Sequence, residues 1–106
     1  MHSMPPILFY TQKPGSVSEL SGKIIPVSLS EQPYEMILEI DGYSYHMIFG
    51  RQTNGWFICV PNWDIGTELS YPTDTFWNYE RMCRAGIKKK DAYFLSTALY
   101  EVSEYL

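Results

Sequence analysis

Two side chains could form a nucleophile and its base: Cys59, in an apolar run, and His46, thirteen residues earlier. A thiolate activated by an adjacent imidazole is a recurrent hydrolytic nucleophile. The two residues fall on segments that read as neighbouring strands. Catalysis also needs a group to orient the base and donors for the developing oxyanion, and the sequence places neither. A Cys/His hydrolase is therefore the least favoured function, and the chain is expected to be no enzyme. Cys59 and Cys83 form no C-x-x-C, and with one histidine in a folded segment they fall short of a four-ligand site. No metal and no cofactor is expected, and both thiols read as buried, reduced side chains.

The charged residues form three further sets. Asp64 and Glu68 stand four apart around Gly66, but in a loop that spacing fixes no distance, so solvated or capping carboxylates are the better reading. Glu35, Glu39 and Asp41 share a second acidic segment. Residues 1–80 hold nine acids and three bases, whereas residues 81–90 hold five bases and no acid. Those bases, Arg81, Arg84, Lys88, Lys89 and Lys90, flank the turn between the helices, where Arg81 and Arg84 suit a helix C-terminus electrostatically. Alternatively they make a small patch for an anion or a partner. The chain has no P-loop, no dinucleotide-binding glycine motif and no zinc-protease motif.

Aromatics make up 16% of the 106 residues. Trp56, Trp63, Tyr71, Trp77 and Tyr79 cluster within 24 positions. Most of that surface belongs to a core in so small a domain. Whatever part is exposed would make a rigid anchor for a protein partner. Stacking on single-stranded bases is disfavoured by the surrounding acids.

The elements that must position these groups follow from periodicity. In residues 34–49, Asp41-Gly42 supplies a two-residue turn tolerant of positive φ. Folding about it pairs Ile40 with Tyr43, Leu38 with Tyr45, Met36 with Met47 and Tyr34 with Phe49 on one face. Glu35, Ile37, Glu39, Ser44, His46 and Ile48 lie on the other. Residues 7–10 read as an edge strand, and Pro26 places a strand over residues 23–30 at an edge or beside a bulge. Residues 56–60, apolar on both faces, read as a central strand or as one covered by a helix on one side and a loop on the other. Residues 61–72 read as a structured loop folding Trp63, Ile65 and Leu69 back onto the domain. A helix capped by Thr73 or Asp74 runs to about Ala85 and stops at Gly86, with Phe76, Tyr79, Glu80 and Cys83 on its apolar side and Trp77 beside them. A second runs from about Lys90 to Tyr105, with Ala92, Leu95, Leu99, Val102 and Leu106 as its stripe. The expected fold is α+β: an antiparallel meander of three to five strands, then two C-terminal helices packed on one face.

Length and composition set the bounds. The chain is expected to form a single domain over residues 1–106 with a flexible start at residues 1–6. The aromatic content excludes a disordered chain, and the net charge of −4 argues against coating nucleic acid by bulk attraction. No apolar run reaches membrane-spanning length, and no signal peptide opens the sequence, so a cytoplasmic location is expected.

The string Gly50-Arg51, Gly55-Trp56-Phe57, Cys59-Val60-Pro61-Asn62-Trp63, Gly66, Glu68-Leu69 and Phe76-Trp77-Asn78 resembles a family of short uncharacterised proteins of clostridia-related Firmicutes, often carried on mobile elements. The resemblance covers roughly residues 38–100 and brings no established activity, so it assigns no site residue. It implies a small accessory protein of a phage, plasmid or integrated element. The leading expectation is a non-enzymatic protein that binds a larger protein, such as a nucleic-acid-processing effector. Inhibition of a host-defence nuclease, in the manner of an anti-CRISPR protein, would be one form of this. Glu35, Glu39, Asp41, Asp64 and Glu68 would mimic phosphates, and Trp63 and Trp77 would anchor the contact. The alternative is a nucleic-acid-associated regulator working through the basic residues 81–90.

Overall fold

Apolar residues alternate with polar ones through much of the first seventy positions, and the chain answers with an unbroken series of antiparallel strands. The computed structural model describes residues 5–12, 19–40, 42–53 and 55–106. The strands are β1 (Ile7–Gln12), β2 (Glu19–Ser28), β3 (Tyr34–Ile40), β4 (Tyr43–Gln52), β5 (Gly55–Val60) and β6 (Ile65–Leu69), side by side in chain order. Two helices follow, α1 (Thr75–Arg84) and α2 (Lys89–Val102). The class is the α+β expected, but the sheet has six strands rather than three to five. None of the described helices is long and apolar enough to cross a membrane. Residues 1–4, in the start expected to be flexible, lie outside the described residues.

The central hairpin has the expected register: Tyr34 faces Phe49, Met36 faces Met47, Leu38 faces Tyr45 and Ile40 faces Tyr43. Gly42 takes φ 80° in the turn. Asp41 lies outside the described residues. Pro26 sits in an interior strand, where the pairing with β3 shifts between Pro26 and Ser28. A proline without a ladder donor is tolerated where the ladder is already broken.

The additional strand is β6, within the segment expected to be a loop. Pro61–Trp63 forms one 3₁₀ turn, closed by the Asp64 amide donating to the Pro61 carbonyl at 3.1 Å. Asp64 adopts a left-handed conformation with φ 53°. That short reversal sets Ile65 opposite Val60 and Leu69 opposite Trp56.

One sheet face forms the core, with Phe9, Ile24, Met36, Leu38, Met47, Phe49, Ile58 and Val60 buried. Gly22 allows this packing: a Cβ there would lie 2.3 Å from the Phe9 ring. Both helices contribute to the same core. From α2, Ala92, Leu95, Leu99 and Val102 are buried as expected, joined by Phe94 and Ala98, while Leu106 is exposed.

The inward side of α1 differs from expectation. Asn78 and Met82 are its buried residues, Tyr79 and Cys83 pack at the core margin, and Phe76 is exposed. The helix ends as expected at Gly86, with φ 104°. The Ile87 amide donates to the Met82 carbonyl and the Gly86 amide to that of Cys83, at 3.0 and 3.1 Å. These are the paired bonds of a Schellman stop, and buried Ile87 supplies its apolar contact.

Candidate functional site

The strand alternation divides the candidate residues between two regions. Glu35, Glu39 and His46 stand on the sheet face opposite the core, all half-buried. Glu35 accepts from, or pairs with, the Nε2 atom of His46. Glu39 sits across from Lys23 on one side and Ser44 on the other. Glu68 lies on the same sheet face at β6, opposite Phe57. Asp64 is exposed at the turn before β6. The acids are thus spread along the open face, with cationic or ionisable partners between them. Asp41 lies outside the described residues.

The open face also contains a group that the sequence alone did not place. Glu35 orients His46, and the His46 backbone amide donates to the Asn62 side-chain oxygen at 3.0 Å. Glu35, Ile48 and Cys59 form one cross-strand row, whereas His46 stands in the next row beside Ile37. Ile48 therefore separates the carboxylate from the thiol within its row. Among the described residues no group of three His, Cys, Asp or Glu side chains is arranged to hold a metal ion. Cys83, on α1, neighbours Tyr79 instead. The Tyr79 phenol is held above its ordinary value, first by desolvation and then by Cys83 and Glu80.

The second region lies where edge strand β6 meets α1. A groove of about 450 Å³ is lined there by Glu68, Trp77, Glu80, Arg81 and Arg84, with Thr67 and Ala85. It unites members of the acidic, aromatic and basic sets. Trp77 is 52% exposed and Phe76 65% exposed, with ring centroids 5.8 Å apart in an edge-on arrangement. Tyr71 is exposed as well. Trp63, by contrast, is half-buried with its ring 4.8 Å from that of Tyr45, packed against the core. Arg81 and Arg84 line the groove, while Lys88, Lys89 and Lys90 are exposed across the turn leading into α2.

Asn78 fixes this end of the molecule. Its side chain is fully buried, accepts from the Ser70 amide at 2.8 Å and donates to the Tyr71 carbonyl at 2.8 Å. The Ser70 hydroxyl donates to the Asp74 carboxylate at 2.9 Å. One buried amide thus locks the chain leaving β6 to the helix that carries Phe76 and Trp77. A buried polar side chain with both functions satisfied specifies geometry as well as stability. Sequence reasoning missed this role. The available signal was an asparagine inside the Phe76-Trp77-Asn78 run, on a turn of helix where an exposed face would not require it.

The chain belongs to a family of unknown function, DUF6618, whose model matches residues 7–106. No curated protein and no solved structure matches it.

Proposed function

We propose that the chain is a non-enzymatic binding protein that docks on a larger protein through the β6–α1 end. The observation that carries this reading is the exposure of Phe76 and Trp77 on a helix held to the sheet by buried Asn78. Aromatic rings on a fixed support lose little conformational freedom on binding and fill pockets well. Arg81 and Arg84 flank Trp77 and have no ion-pair partner among the described residues. They favour a partner surface that presents carboxylates.

The setting proposed with this reading is a cytoplasmic accessory protein of a mobile element. Inhibition of a nucleic-acid-processing effector, in the anti-CRISPR manner, is the extension that the acids would serve. Glu35, Glu39 and Glu68 share the open sheet face and would stand in for phosphates there. Lys23 opposite Glu39 offsets part of that charge, and His46 occupies one oxygen of Glu35, so the aromatic end carries the reading.

The test is tagged capture from a host lysate after nuclease treatment, comparing the natural chain with Trp77→Ala. One stoichiometric protein held by the first and lost by the second supports docking. The second reading, a nucleic-acid-associated regulator, is favoured by the exposure of Arg81, Arg84, Lys88, Lys89 and Lys90 around one turn. It predicts recovery that disappears with nuclease and affinity that falls steeply with salt.

A further inference from the structure

Arg81 lines a second cavity, of about 320 Å³, together with Arg51, Gln52, Trp56, Ser70 and Tyr71. Two arginines line this space and, among the described residues, no aspartate or glutamate does. In a chain of net charge −4, that is a local reversal of sign. Neither arginine has an ion-pair partner among the described residues, where Glu35 and His46 form the pair described. Trp56 lines the cavity, and its indole Nε1 is buried without a hydrogen-bond partner.

The walls are built structure. Gln32 accepts from the Arg51 amide and so holds the end of β4. A Cβ at Gly50 would come within 3.1 Å of the same Gln32 oxygen. On the other side, Asn78 clamps Ser70 and Tyr71 to α1, one turn before Arg81. Thus Arg51 and Arg81, thirty positions apart in sequence, are brought to one cavity by elements that are each held in place.

We propose that this cavity is an oxyanion site, taking the phosphoryl or carboxylate group of a small ligand between Arg51 and Arg81. Guanidinium groups present paired N–H donors in a planar fork that matches both kinds of oxyanion. Two arginines lining one space without a counter-charge favour an anion between them. Gln52, Ser70 and Tyr71 add neutral polar groups, and the rings of Trp56 and Tyr71 give the ligand's body a surface to lie against. The site needs no protein partner, so it stands or falls apart from the docking reading.

The experiment uses the full chain labelled with ¹⁵N at tryptophan, whose three indole signals are assigned with Trp56→Phe and Trp77→Phe. Inorganic phosphate and, separately, acetate are titrated at constant ionic strength. The expected result is a saturable shift of the Trp56 indole signal. Its apparent dissociation constant should rise about tenfold in Arg51→Gln and in Arg81→Gln, as for loss of a charge-assisted bond. It should stay unchanged in Lys23→Gln, which removes a positive charge from the opposite sheet face. A stronger response to phosphate identifies a phosphoryl ligand and a stronger response to acetate a carboxylate, and either supports the site. Both arginines are exposed, and the Trp63 indole, packed beside Tyr45, reports that each variant stays folded. Absence of a saturable shift with either anion would overturn the proposal. So would a shift that survives either arginine substitution.

Discussion

The two helices are adjacent in sequence and packed on each other, yet they face the solvent on different terms. In α2, Ala92, Phe94, Leu95, Ala98, Leu99 and Val102 are buried, so nearly every apolar side chain is spent on the core. In α1 only Asn78 and Met82 are fully buried, while Phe76 and Trp77 stand in water. A helix needed only for the core would turn its largest rings inward, because that burial is the main source of stability. Here α2 is given over to the core, whereas α1, held by a polar clamp, leaves two of its rings in solvent, and it is these rings that the docking proposal uses.

The sharpest way to break that comparison is to treat the two helices alike. Leu95→Ala in α2 should cost about 2–5 kcal/mol, as for truncation of a buried leucine, seen as a lower midpoint in chemical denaturation. A cost below 1 kcal/mol, on the scale of a surface change, would remove the assignment of α2 to the core. Asn78→Ala should cost about 1–3 kcal/mol, because the Ser70 amide and the Tyr71 carbonyl lose their buried partner. It should also speed amide exchange at Ser70; unchanged exchange there would mean that the clamp does not hold the chain. Trp77→Ala should change stability by no more than about 0.5 kcal/mol, yet weaken partner capture on the scale of an interface anchor. The separation of those two effects is what distinguishes α1 from α2.

The smallest effect concerns the margin between the helices. A phenol whose folded value is raised binds its proton more tightly when folded. The stability this gives is complete below the unfolded value, about pH 10, and is lost as pH rises from there through the folded value. Tyr79→Phe should therefore flatten the alkaline decline in stability above about pH 10. An unaltered decline would place its cause elsewhere.

Much of the sheet was legible in the sequence because one hairpin was over-determined. Asp41-Gly42 is a turn signal in the sequence, and the alternation from Tyr34 to Phe49 admits one register, since a slip of one residue would expose Met36, Leu38 and Met47. The sixth strand was hidden by its flanks. Pro61, Asp64 and Gly66 read as loop, although Ile65, Thr67 and Leu69 alternate, and the reversal depends on Asp64 entering a left-handed conformation that few residues adopt. In α1, Phe76 is apolar by type yet faces solvent, because Asn78, satisfied by backbone groups, takes the inward position. Arg51 lay outside the basic group by sequence and joins Arg81 only through the order of strands β4, β5 and β6, a tertiary fact with no local signature.

The central claim is that Phe76 and Trp77 are exposed for docking and not for folding. The most direct measurement is quantitative capture of the partner by the Phe76→Ala/Trp77→Ala chain, from nuclease-treated lysate, alongside its thermal unfolding curve. The predicted result is an unfolding midpoint close to that of the natural chain and loss of the captured protein. Capture at the natural level by the folded double variant would contradict the account, as would a variant that fails to fold.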